Sequence, residues 1–178
     1  MHIDLYRGQT ARAWARIESL WPEYERSLLF RIQLIRIQML EMRARTAVAA
    51  AERSQQPGPW LDRAARDARA LEREGQAWGL AHAHYVRAAI AACRDDAARA
   101  AEELARAAEL YERADMRLCA QLMRFRLGEI DTSEGARALR EQAGRRLEGQ
   151  GIASPVRWAA MSDPGFARIS RESTDTTY

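Results

Sequence analysis

From Asp95 to Met116 small and apolar residues recur at three- and four-residue steps: Ala97, Ala100, Ala101, Leu104, Ala107, Ala108 and Tyr111. That period gathers them on one stripe of an α-helix, and leaves Arg99–Glu103, Glu102–Arg106 and Glu109–Arg113 to pair along the outside. Asp95 and Asp96 suit the start of such a helix, where unpaired N–H groups and the positive dipole end favour carboxylates. Because the stripe is mostly alanine, a neighbouring backbone can approach closely. The stretch predicts one layer of a stack of helices.

The rest of the chain extends this pattern. Residues 1–9 read as an irregular lead, and Thr10 as the cap of a helix to about Leu20 that Pro22 brings to a break. Ala13, Trp14, Ile17 and Trp21 share one side of it. From Glu23 to about Ser54 the spacing predicts one continuous helix. Leu28, Ile32, Ile35, Met39, Met42, Thr46 and Ala49 form one apolar line, and Leu34, Ile37 and Ala44 a second. A helix apolar on two sides belongs between neighbours. After the breaker Gln55-Gln56-Pro57-Gly58-Pro59 the helices expected are Trp60–Glu74, Ala77–Arg94, Asp95–Ala114 and Met116–Ile130. Asp131-x-x-Glu134 reads as a capping box for a helix from Ser133 to Glu148, and Ser154-Pro155 opens a short last one. Residues 167–178 have no apolar period and read as a disordered tail behind a single domain of residues 1–166.

A repeat runs through these helices. Ala64, Ala100 and Ala136 are 36 residues apart, as are Leu71, Ala107 and Ala143, and Leu80, Met116 and Ile152. The interval lies near the roughly 34 residues of a tetratricopeptide repeat, and Ala100-x3-Leu104-x2-Ala107 has the small–large–small spacing of its second helix. The expected fold is all-α, a TPR-like solenoid of antiparallel helical hairpins.

Composition narrows the chemistry. All 28 basic residues are arginine, against 25 acids, for a net charge of +3. Acids and arginines are interspersed, so no nucleic-acid partner is expected. Without lysine there is no Walker A loop, no kinase phosphate-binding lysine and no Schiff base. No stretch approaches the roughly 20 apolar residues of a membrane span. The N-terminus lacks a signal peptide, so the expected location is cytoplasmic. Cys93 and Cys119 read as small buried residues of a reducing compartment.

Candidate sites are sparse. His82 and His84, two apart on a helix, point about 200° away from each other and cannot share one metal ion. His84 fits a polar patch with Tyr85 and Arg87. Trp14, Trp21, Trp60 and Trp78 read first as core anchors. As pocket walls they give an alternative, a small-molecule sensor with a closed cavity between the first three helices. No catalytic residue, cofactor or metal site is expected. Arg117, Gln121 and Arg124 share one side of their helix, and one repeat earlier Ala81, Tyr85 and Ala88 take the same places. Tyr85 as an aromatic platform, with Gln121 and the two arginines, predicts a groove for a protein or peptide partner that is acidic.

Several phrases together resemble a known family: Asp4-Leu5-Tyr6-Arg7-Gly8 with Ala13-Trp14, Trp21-Pro22, Ser27-Leu28-Leu29, Ala114-Asp115-Met116-Arg117, Leu127-Gly128, Gln150-Gly151-Ile152 with Pro155, and Asp163-Pro164-Gly165-Phe166. They resemble the helical C-terminal region of large bacterial serine/threonine protein kinases of the myxobacterial type. In that family a kinase domain precedes a TPR-like array, and a glycine pair tends to stand where this chain has Asp131-Thr132-Ser133. The resemblance implies a non-catalytic interaction or regulatory module, the accessory part of a kinase. The chain itself has no glycine-rich loop, His-Arg-Asp loop or Asp-Phe-Gly.

Overall fold

The computed structural model describes residues 2–131 and 133–167. Among them are α1 (His2–Tyr6), α2 (Thr10–Arg26), a 3-10 turn (Leu28–Arg31), α3 (Gln33–Arg53), α4 (Gly58–Arg73), α5 (Ala77–Cys93), α6 (Ala97–Arg113), α7 (Arg117–Ile130), α8 (Glu134–Gly149) and α9 (Pro155–Ser162). No strand occurs among the described residues, so the protein is all-helical there. From α2 to α8 each helix packs against the next, and α3 also packs against α5. No helix among the described residues is long and apolar enough to cross a membrane. The expected tail, apart from Ala167, lies outside the described residues.

The stripe on α6 buries as its spacing requires: Ala100, Leu104, Ala107, Ala108 and Tyr111 are all core. Its outer charges pair differently. Arg106 meets Glu109 at 3.1 Å, while Glu103 reaches across to His84 Nδ1 at 2.6 Å. Asp95 does not start α6. It takes φ +60 and ends α5, with the Asp96 N–H bonding back to the Ala91 carbonyl. Asp96 is the cap and accepts from the Arg99 N–H. Aspartate tolerates this left-handed turn because its short polar side chain suits it. Asp115 at φ +56 closes α6 in the same way, with Met116 N–H on the Tyr111 carbonyl.

That turn also corrects the repeat. Met116 and Ile152 both follow the left-handed residue that closes α6 and α8, so the 36-residue interval holds there. After α4 the equivalent place, behind Gly75 at φ +72, belongs to Gln76, whereas Leu80 lies inside α5. The register therefore slips by one helical turn between α4 and α6.

Other boundaries differ from expectation. The lead contains a short helix, α1, and Pro22 lies inside α2 instead of ending it. The long helix expected from Glu23 is broken at Ser27, whose extended backbone opens the 3-10 turn. Leu28, Ile32 and Leu34 are consequently exposed, and the buried line of α3 is Ile37, Leu40, Ala44, Ala47, Val48 and Ala51. α3 is central as expected, packed against α2, α4 and α5. At α8 the cap is Ser133, accepting from the Ala136 N–H, while Asp131 takes the N–H and hydroxyl of Ser133. A serine cap braced by an aspartate replaces the capping box.

Gly128 explains how α7 meets α8. A Cβ there would lie 2.6 Å from both the Ala136 carbonyl oxygen and Arg140 Cβ. The two backbones cross where no side chain fits.

Candidate functional site

α3 and α5 together open a cleft of about 650 Å³ toward the turn between α6 and α7. Helical spacing puts Leu34, Gln38, Glu41, Met42 and Arg45 on one side of α3, and Trp78 and His82 face them from α5. Met39 and Met116 complete apolar walls that are soft and adaptable, as methionine surfaces are. The floor is polar. Arg45 donates from Nε to Glu41 Oε1 at 2.8 Å and also from Nη2 to the same oxygen. Glu41 is buried, and its ion pair with the part-buried Arg45 forms the floor. His82 is held through Nδ1 by the Tyr111 hydroxyl at 2.6 Å, and its ring stands edge-on to Trp78. Burial lowers the His82 pKa, which keeps the imidazole neutral.

Behind the cleft lies a second polar group in the core. Arg126 donates to Glu129 Oε2 at 2.6 Å and to the Asp163 carbonyl oxygen at 2.7 Å, with its guanidinium 5.2 Å from the Phe166 ring. Arg140 approaches the other Glu129 oxygen at 3.5 Å. The segment from Asp163 to Phe166 thus enters the core instead of trailing over it. Gly165, at φ +108, sits so close to α3 and α5 that a Cβ would lie 2.8 Å from Val48 Cγ1 and 3.0 Å from Ala89 Cβ. Asp163 Oδ2, Tyr85 Oη and Arg126 Nε are buried without a hydrogen-bond partner among the described residues. Burial pushes the Asp163 carboxyl up to about 7 and the Cys119 thiol up to about 11. A thiol held that high is no thiolate at neutral pH, and so no ready nucleophile.

The four residues expected to form a groove do not assemble into one. Tyr85 is 2% exposed and presents nothing outside, and Ala81 and Ala88 are as deeply buried. Arg117 is 81% exposed and pairs with Asp115 at 2.9 Å. Arg124 turns to Glu112 of α6. Gln121, with its amide oxygen toward the guanidinium groups, accepts from Arg124 at 2.8 Å and from Arg146 of α8 at 3.3 Å. Gln121 and Arg124 therefore belong to a network between α6, α7 and α8. The acidic partner loses its basis, because each arginine already faces a carboxylate of this chain.

His84 binds Glu103 in a part-buried pair and Arg87 binds Glu72 at 2.5 Å nearer the surface, both without Tyr85. Trp14 packs edge-on against Trp60 at 5.0 Å, and Trp21 against Phe30 at 5.5 Å. Arg43 stacks 3.2 Å over the Trp21 ring while bonding Asp67 at 2.5 and 2.9 Å. The hollow of about 430 Å³ beside these tryptophans is open, and Arg43 already occupies one wall. It is not the closed cavity that a sensor between the first helices requires.

Sequence reasoning missed Glu41, Arg45, Arg126 and Glu129. The signal was present: each pair is an acid and an arginine at i,i+4 or i,i+3, with apolar residues on either side. No protein-family model, curated protein or solved structure matches the chain.

Proposed function

We propose that this chain is a non-catalytic protein–protein interaction module, and that its binding face is the cleft between α3, α5 and the α6–α7 turn. The observation that carries the reading is the pairing of methionine, leucine and tryptophan walls with a largely buried Arg45–Glu41 ion pair at the floor. An apolar opening of this size is costly to leave to water. Leu34, 53% exposed at its rim, leads back to exposed Leu28, Leu29 and Ile32. Lining residues from one side of α3 suit a helical segment with apolar residues at i, i+3 or i+4 and i+7, and methionine walls repack around such a face. The TPR-like phrases favour an accessory place beside a bacterial serine/threonine kinase domain, in the cytoplasm, with the helices stacked as a solenoid.

The test is selection of 16-residue peptides from a displayed library on the immobilised full chain. The reading expects amphipathic helical winners whose binding is lost with Met42→Glu and Trp78→Ala, both folded by circular dichroism. Winners that ignore both substitutions would move the binding face elsewhere. A library yielding no winner would count against the module reading itself.

A further inference from the structure

A different surface carries a sharper ligand chemistry. Between α4, α5 and α6 is a small pocket of about 220 Å³, remote in character from the apolar cleft. Its floor is alanine, chiefly Ala68 and Ala91, and its rim holds four arginines: Arg69, Arg87, Arg94 and Arg99. They come from three separate elements, α4, α5 with its C-terminal residue, and α6, so the fold and not one helix brings them together. Arg87 is committed to Glu72 at 2.5 Å. Arg69, Arg94 and Arg99 make no side-chain ion pair among the described residues, which leaves three of the four guanidinium groups at the rim without a carboxylate of this chain. Asp96 is the carboxylate lining the pocket, and its Oδ1 already accepts the Arg99 backbone N–H at 3.1 Å.

We propose that this pocket binds a phosphoryl group, a phosphate monoester carried by a small molecule or by a phosphorylated side chain. Three unpaired guanidinium groups around one hollow repel each other, and one Asp96 carboxylate cannot offset them. A monoanionic carboxylate would satisfy a single fork. A phosphate monoester brings close to two charges and three acceptor oxygens, which several planar forks can share from different directions. The alanine floor lets the group sit low, so that all the arginines reach it. Arginine suits this better than lysine would, because its fixed fork meets phosphate oxygens in pairs.

The test is calorimetric titration of the full 178-residue chain at low salt. The probes are inorganic phosphate, O-phosphoserine, the peptide acetyl-Gly-phosphoSer-Gly-amide and its unphosphorylated form. The proposal expects saturable binding of at least one phosphorylated probe and none of the unphosphorylated peptide. Arg94→Gln with Arg99→Gln should weaken it by about tenfold or more at an unchanged melting temperature, since both side chains are exposed. Arg117→Gln, removing an exposed arginine elsewhere, should leave it unchanged. Tighter binding of the phosphopeptide than of inorganic phosphate identifies a phosphorylated side chain as the source, and the reverse order a free small molecule. Absence of saturation with every probe, equal weakening by Arg117→Gln, or full binding by the double variant would each overturn the proposal. The outcome is independent of the cleft, which the Met42 and Trp78 substitutions test alone.

Discussion

Helices α4, α6 and α8 bury one stripe each, whereas α3, α5 and α7 are buried on several sides, and α3 and α7 enclose paired charges. On α4 the core positions are Leu61, Ala64, Asp67, Ala68 and Leu71, on α6 Ala100 to Tyr111, and on α8 Ala143, Gly144 and Leu147. Most of their charges stand outside. In the other set, α5 buries ten of its residues, α3 buries Glu41, and α7 buries Arg126 and Glu129. A helix that touches protein on one side only must separate apolar from charged residues. A helix enclosed by neighbours has no polar side on which to place them, so its charges pair internally. The cleft proposed as the binding face, floored by the Arg45–Glu41 pair, opens on two of the enclosed helices, α3 and α5.

The difference is broken most severely by halving a buried pair. Glu129→Leu leaves Arg126 without its carboxylate in the core and should cost about 3–5 kcal/mol, read by urea unfolding. Arg126→Met with Glu129→Leu should recover part of that loss, because no lone charge remains buried. A double variant no better than the single one would mean that the pair itself stabilises α7.

Next is Gly128→Ala, expected to destabilise by about 1–3 kcal/mol, since the added methyl must push α8 away from α7. Gly144→Ala is its foil. There a Cβ meets the Phe125 ring at an ordinary 3.6 Å, so helix propensity should make the change neutral or favourable by about 1 kcal/mol. Equal effects at the two glycines would deny the close crossing.

A pH-dependent effect follows from Asp163. The folded chain holds its proton up to about 7, while an unfolded aspartate releases it near 3.8. Between these values the folded state binds more protons, so the carboxyl's contribution falls as pH rises and is lost above about 7. Asp163→Asn should remove that slope and raise the melting temperature at pH 8 more than at pH 4. A gain confined to pH 4 would reverse the sign. Smallest of all is Arg106→Ala on the outside of α6, where an exposed pair with Glu109 should be worth less than about 0.5 kcal/mol.

Periodicity made the one-stripe helices readable. The α6 stripe, the Gly75 stop and the Ser154-Pro155 start are set by local spacing and capping chemistry, and they stand as expected. α3 was harder. Its apolar residues outnumber the places on any one face, so Leu28, Ile32 and Leu34 were assigned to a core that lies one face away. The break at Ser27 carries no glycine or proline, so nothing local announced it. The groove failed for a related reason. Tyr85 and Gln121 share a repeat position, yet which side of an enclosed helix meets solvent depends on its neighbours, and the four-residue slip at Leu80 moves that side. Asp163 to Phe166 was visible as a phrase, but its entry into the core depends on Gly165 fitting against Val48 and Ala89, contacts more than seventy residues away in sequence.

The most direct measurement on the cleft is hydrogen–deuterium exchange of the full chain with and without a selected amphipathic peptide. If the cleft is the binding face, peptide will slow exchange in the first half of α3, the first turns of α5 and the turn around Met116, and leave the outer helices α6 and α8 unchanged. Protection confined to α6 and α8, with α3 and α5 exchanging as before, would contradict it.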